Sequence, residues 1–489
     1  MKIGLIPLDE RPVNTRYPKM IGTIAGVDVL LPPPESWSQF RTPADCGATA
    51  AWLREIGSEL DVLIVSIEML CYGGLLPSRI TDDSIHTLIE RLSILREIKI
   101  QNPGLAIYGF NLIMRISKNP HSVEEPAYWS QSGPQLYQYS QAYDRHRRAD
   151  GQQPATDHIA NAHLQDFLWR RLRNHTLNLI VLDLLADDIF DLLVISSDDT
   201  SEYGFGTREK QWLSEWVERR GGDARLRMYP GADEVGTVLL ARAIMQAQKM
   251  TPRFYAHYAI EADKDRVAPF EDGPVSLTLE RQLRAVGGEQ RDSISDADMI
   301  IAVNPPAPGG KDFFDPQDAA NERAYRAAPL QQFAQQIRAW LAENRTVILC
   351  DVAYPNGSDP VLIEALREHM DLSQLAAYGA WNTAGNTIGV ALAQGIANHI
   401  AKNPVAQQQL LLHRFIEDYA YQHLVRQQVA SITEDTLLDD ETVTILCERI
   451  QAGLSAQLAK LNDFAGWRIQ NVRLPWRRLF EVDFDLEHT

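Results

Sequence analysis

Cysteine is scarce: Cys46, Cys71, Cys350 and Cys447 are the only four in 489 residues, and no two form a CxxC pair. That argues against a zinc knuckle and a disulfide framework, and makes a reducing cytoplasm the expected compartment. Long apolar runs are missing too. The longest, Leu60 to Leu70 and Leu192 to Ile195, fall far short of the ~18 residues that span a bilayer, so no membrane partner is expected. Basic blocks are lacking: 47 Lys+Arg face 65 Asp+Glu, a net charge of −18. Phosphate contacts need clustered Lys and Arg, so nucleic acid is not an expected partner. The one dense basic spot, Arg145, Arg147 and Arg148, suits a solvated loop.

Familiar catalytic signatures are absent as well. The twelve His are scattered, with no HxH or HExxH, against a His-built zinc hydrolase. No GxGxxG follows an apolar run, no GxxxxGK[ST] occurs, and Gly204-Phe205-Gly206 is a fragment without its third glycine. No GxSxG elbow is present, which argues against an α/β-hydrolase triad. The N-terminal MKIGLIPLDERPVN has carboxylates directly after a short apolar stretch, so it reads as a buried first strand and not a signal peptide.

What is present is an ordinary globular balance, 45% hydrophobic and 23% charged, with a recurring pattern. Short, nearly continuous apolar runs begin at Ile3, Val27, Val62, Ala106, Leu192, Leu226, Phe254, Met299, Val347 and Ala376. Runs of that kind are strands buried on both faces. Amphipathic stretches lie between them: Ser84 to Ile100, Thr207 to Arg220, Glu234 to Gln248, Leu330 to Glu343 and Asn386 to Ile400. The alternation predicts an α/β fold with a parallel sheet, a (β/α)-barrel or a barrel-like sheet, over residues 1–402. Residues 117–153, polar and aromatic, are too long for an ordinary connection and are expected to be a lid or insertion. Residues 403–489 show helical periodicity without further clear strands, predicting a helical C-terminal domain with an extended tail over Val472 to Phe484.

Polar residues collect just after these runs. Asp9, Glu10, Arg11 and Asn14 follow the first; Glu68 and Tyr72 the third; Asn111 and Arg115 lie in and after the fourth. Asp198 and Asp199, then Tyr203, follow the fifth, and Asp233 and Glu234 the sixth. Asp351, Asn356 and Asp359 come later, then Trp381, Asn382 and Asn386. In parallel α/β folds the carboxyl ends of the strands share one side, so these groups are expected to meet in one cleft. Short polar residues after strands also serve as caps and turn formers, a role open to Asp233 and Asn386, each opening a helix. Paired acids with an Arg exceed what capping needs. Asp198 and Asp199 are the candidate catalytic pair: adjacent carboxylates repel, so one should hold a proton while the other stays ionised. Asp187-Asp188, at the opposite end of a strand, reads as solvated. No resident cofactor is expected; the alternative is a Mg²⁺ or Ca²⁺ ion held by Asp9, Asp198, Asp233 and Asp351. Trp37, Trp129 and Trp381 fall in expected loops, where a sugar platform and partial burial are both open.

The ordered motifs PLDERPVN, YGGLLPSR, NLIMRIS, VEEPAYW, SSDDTSEYGFGTRE, YPGADEVG, VAYPNGSD, GAWNTAGNT and LPWRRLFEVDF resemble a widespread bacterial family known only as a domain of unknown function. The likeness covers essentially the whole chain and brings no activity with it. A more distant analogy is to barrel N-acetylhexosaminidases that work by substrate assistance. It implies that one carboxylate of Asp198 and Asp199 orients the substrate acetamido group while the other protonates the leaving oxygen. Asn382 or Asn386 would bind the sugar and Trp381 would stack on it. The reading of first rank is therefore a glycoside hydrolase-like enzyme acting on a small carbohydrate. A carboxylate–metal hydrolase or isomerase is the second reading, and a two-lobed sugar-binding or sensing module the third. Oligomeric state is not legible.

Overall fold

The structure is a computed structural model, and it describes residues 1–148, 153–198, 200–309, 319–430 and 437–488. All ten apolar runs form strands. β1 (Lys2–Ile6), β2 (Asp28–Leu30), β3 (Val62–Ser66), β4 (Ala106–Ile113), β5 (Leu192–Ser197) and β6 (Leu226–Pro230) make one sheet in the order β2-β1-β3-β4-β5-β6. β7 (Arg253–Tyr258), β8 (Glu289–Arg291), β9 (Met299–Asn304), β10 (Thr346–Asp351) and β11 (Ala377–Gly379) make a second, ordered β11-β10-β9-β7-β8. Every pairing in both is parallel. The α/β class with parallel sheets is thus the expected one. The strands divide between two sheets, and among the described residues no pairing closes either sheet into a barrel.

The chain forms two compact units, Met1–Thr15 with Asp28–Gly236, and Arg16–Val27 with Thr237–Thr489. In the first, Ile6, Leu63, Val65, Ile107, Leu193 and Ile195 point to one sheet face. They share a core with helices Cys46–Ile56, Ile85–Gln101 and Asn161–Ala186. In the second, Ile300, Ala302, Val347 and Leu349 share a core with Leu330, Phe333 and Ile337, and equally with Leu411, Phe415, Ile450, Leu454 and Phe484. The expected boundary at 402/403 therefore falls inside the second unit, because the C-terminal helices bury their apolar stripes against that sheet. The expected absence of late strands needs correcting: β12 (Trp467–Arg473) and β13 (Asp483–His488) pair as an antiparallel hairpin. The tail motif does not extend freely either. The backbone carbonyls of Leu479 and Phe480 accept from Tyr421 and Gln422, both at 2.8 Å.

The expected insertion, so far as it is described, holds a helix, Trp129–Arg148, with Pro134 inside it. Trp129 and Leu136 share a small apolar cluster with Leu164, Phe167 and Phe205, which anchors the segment. Arg145 and Arg148 lie on this helix, not in a loop, and both stack on the Tyr203 ring.

The YGG of the third loop has a steric cause. Gly73 ends helix Ile67–Tyr72 at φ +82°, and a Cβ there would lie 2.6 Å from the Ala44 backbone nitrogen. The close approach lets Ala44 N–H donate to the Gly73 carbonyl at 2.9 Å, fixing the 36–45 loop against the helix. Gly73→Ala is expected to destabilise the protein by about 1–3 kcal/mol through backbone strain plus the collision. Urea unfolding of the variant, showing a lower midpoint at unchanged slope, checks it.

Candidate active site

The carboxyl edge of the first sheet is built around Arg11. The turn after β1 brings Arg11 Nε within 3.1 and 3.0 Å of the two Asp9 oxygens, and its Nη2 within 2.7 Å of Oδ2. Its other edge grips Asp233 from the loop after β6: Nη1 donates to Oδ2 at 3.2 Å and Nη2 donates to Oδ1. Asn14 donates to Asp9 Oδ1 at 2.9 Å. All four residues are at most 4% exposed. Burial pushes the Asp233 carboxyl up; Arg11 opposes this, while the charges of Asp9 and Asp198 add to it.

Asp198, just after β5, belongs to the same edge. Its Oδ2 takes the Arg79 Nη2 at 2.6 Å, and Arg79 Nη1 donates to Glu124 at 3.0 Å. Arg115 completes the chain, donating to Glu124 at 2.7 Å and Glu125 at 3.1 Å. Burial pushes Glu125 up against the pull of Arg115 and Arg79. Asp199, the other half of the candidate catalytic pair, lies outside the described residues.

Glu10 is the more open acid of the edge. It accepts from Ser38 Oγ and the Phe40 N–H, both at 2.5 Å, from the loop that Gly73 positions. Burial, then the neighbouring Asp9 charge, push its carboxyl up. Several expected substrate contacts have structural duties instead. Glu68 is fully buried and accepts from Asn111 Nδ2 at 2.7 Å and the Leu112 N–H at 2.8 Å, while Asn111 accepts from Asn178. Tyr72 is 1% exposed, donates to Asn174 Oδ1 at 2.6 Å and lies under the Arg173 guanidinium. Tyr203 is held by the two arginines already described. Glu234 is fully buried, accepting from the Ala232 N–H at 3.1 Å.

The remaining candidates belong to the second unit. Asn304, at the end of β9, donates to Asp351 at 2.8 Å and to Asp359 at 3.2 Å. Arg326 donates to Asp359 at 3.1 and 2.9 Å, and the Asp359 N–H donates to Asp351 at 2.7 Å. All four side chains are fully buried. Asp351 is pushed up to about 7 by burial and by Asp359. Asp359 also caps helix Pro360–His369 through the Val361 N–H. Asp351 and Asp359 are thus a knot fixing a loop and not a grip on substrate. Asn356 bridges to Trp381. Trp381 is 4% exposed with its ring 5.7 Å from Phe480, which corrects the sugar-platform expectation to burial. Asn382 holds a left-handed turn at φ +65°, and Asn386 sits in the first turn of helix Ala384–Ala401, its N–H taken by Thr383.

Of the expected cleft residues, Asp9, Arg11, Asn14 and Asp233 are brought into one hydrogen-bonded cluster, with Asp198 close enough for its charge to act on Asp233 and Glu10 beside Asp9. Sequence reasoning missed the arginine-bound frame: Arg79 with Glu124 and Glu125, Arg171 bound to Glu209, and Arg326. Adjacent acids before Pro126 were a usable signal for the first; Arg326 sits mid-helix with none. Asp187 and Asp188 pair with Arg96 and Arg225 at the surface, as solvated acids do. Among the described residues no group of three or more His, Cys, Asp and Glu side chains is arranged to hold a metal ion. Between Asp9 and Asp233 the cation is the Arg11 guanidinium. Among them, too, no helix is long and apolar enough to cross a membrane.

Residues 3–485 match the model of a family described as a protein of unknown function, DUF4127. The chain belongs to that family. No curated protein matches it. The DUF4127 chain is thus to be read from its own geometry.

Burial pushes Glu68 up from 4.5 to about 7. Because the folded state prefers the protonated form, this contribution to stability is complete below about pH 4.5 and is lost as pH rises through about 7. Glu68→Gln keeps the shape and drops the charge. Relative to wild type it should be equally stable near pH 4.5 and more stable near pH 8.5, by about 2–3 kcal/mol. Denaturant titrations at the two pH values check this.

Proposed function

We propose that this protein is a cytoplasmic, glycoside hydrolase-like enzyme acting on a small, neutral, polyhydroxylated sugar, with or without an N-acetyl group. The observation that carries the reading is the split among acids at the carboxyl edge of the first sheet. Asp198 is ion-paired with Arg79 at 2.6 Å, whereas Glu10 is pushed towards its protonated form and remains partly open. An Arg-paired carboxylate beside a carboxyl pushed up from its ordinary range is a pairing that suits general acid chemistry at a glycosidic oxygen. Glu10 is then the proton donor and Asp198 its Arg79-held partner, with Asp199 as the sequence-based candidate beside it. Arg11, Asp9 and Asp233 keep the edge in shape. An acidic edge with its cations already paired suits a neutral substrate better than a phosphorylated one.

The third reading, a binding module without turnover, is favoured by the division of the strands over two sheets in two compact units. A panel of chromogenic glycosides, acetamido sugars included, run with divalent ions and with chelator, separates the readings. The expected result is turnover that survives chelation, falls by at least about 100-fold in Asp198→Asn and Glu10→Gln with the fold retained, and declines as pH rises through the elevated Glu10 pKa. Loss on chelation transfers the acids to the metal-dependent reading. A thermal shift with sugars but no turnover on any substrate establishes the binding module.

A further inference from the structure

Three buried hydroxyls at this edge have no partner, and one of them, Ser197, leaves the opposite face of β5 from the other two. Ser196 on β5 is fully buried, Tyr229 on β6 is 2% exposed, and neither Oγ nor OH makes a hydrogen bond. The two are direct register partners in parallel strands, so their side chains leave the same face of the sheet. The ladder continues past them: the Asp198 N–H donates to the Ile113 carbonyl at 3.2 Å, and the Gly231 N–H to the Ser197 carbonyl at 3.0 Å. With the two-residue alternation intact, Asp198 follows Ser196 on that face. Along β5 the face runs Leu192, Val194, Ser196, Asp198, from apolar to hydroxyl to carboxylate within seven residues.

Hydroxyls without partners in a core are costly, and Ala and Phe would fill the same space without the penalty. Tyr229 is held as a phenol, and so as a donor, by burial and by the nearby Glu234 charge. Glu234 in turn folds under Gly231, where φ is +151° and a Cβ would overlap its carboxyl. Arg79, which grips Asp198, has a spare buried donor in its Nε.

We propose that Ser196 and Tyr229 are the floor of a ligand subsite beside Asp198, shaped for vicinal hydroxyls of a neutral polyol or sugar. A ligand hydroxyl both donates and accepts, so one such group satisfies Tyr229 as donor and Ser196 as acceptor or donor. The carboxylates of Asp198 and Asp233 disfavour an anion there. The inference rests on the glycosidase-like reading and assigns its sugar contacts.

The test is saturation-transfer NMR and titration of the full chain with D-glucose, N-acetyl-D-glucosamine and myo-inositol, paired with thermal melts. The variants are Ser196→Ala, Tyr229→Phe and, as a control on the opposite face, Ser197→Ala. Ser196→Ala and Tyr229→Phe should each weaken binding about five- to tenfold, with melting temperatures equal to or above wild type. Ser197→Ala should leave affinity unchanged. Wild-type binding that survives in both hydroxyl variants overturns this inference alone. So does an equal loss in Ser197→Ala, or a fall in melting temperature in both variants, which would mark the hydroxyls as structural. No binding of any probe by wild type overturns the ligand class, and the glycosidase-like reading with it.

Discussion

The first unit turns on a guanidinium held between two buried carboxylates. Arg11 joins Asp9, two residues away, to Asp233, 222 residues away. Burying such groups costs several kcal/mol per ion before any attraction is counted, so the cluster is a weak source of net stability. Its effect is geometric. The loop after β1 and the loop after β6 are held in one arrangement, because releasing either would leave a charge unpaired out of water. Burial is the main reason Asp233 is pushed up despite its bidentate partner, and the excess negative charge of two carboxylates against one guanidinium adds to it.

The same imbalance continues outward. Arg79 and Arg115 serve three acids, Glu124, Glu125 and Asp198, and Glu125 is pushed up chiefly by burial, with the Glu124 charge adding to it. An edge with one fewer cation than acids in each cluster thus reinforces the upward push that burial gives its carboxyls.

This explains what could be read from the sequence. Strands of continuous apolar character announce themselves, so β1 to β7 and β9 to β11 were legible. β8 is three polar residues, Glu289-Gln290-Arg291, at the sheet border. β12 alternates buried and exposed, with Trp467, Ile469 and Val472 inward and Arg468, Asn471 and Arg473 outward, a pattern easily lost between helices. Pro134 and a run of Gln and Tyr disguised the helix Trp129–Arg148. Positions of acids after strands were legible, but their partners were not. Asp351 and Asp198 look alike in sequence, and only Arg326 and Asn304, brought in by distant elements, make one of them a sealed knot.

Acids at the carboxyl edge of a parallel sheet are in any case electrostatically favoured, since the helices that follow each strand aim their N-termini there. Asp198 precedes helix Phe205–Arg219, and Asp233 precedes Val235–Ala247. Their presence alone therefore separates function from fold poorly. Ser196 and Tyr229 are different, because no helix dipole rewards an unpaired hydroxyl in a core. A polar atom that the fold neither needs nor satisfies is a stronger pointer to a ligand than a charge the fold would place there anyway. On that criterion the unpartnered hydroxyls of the β5–β6 face support the proposed subsite more than the charge of the Arg11 cluster does.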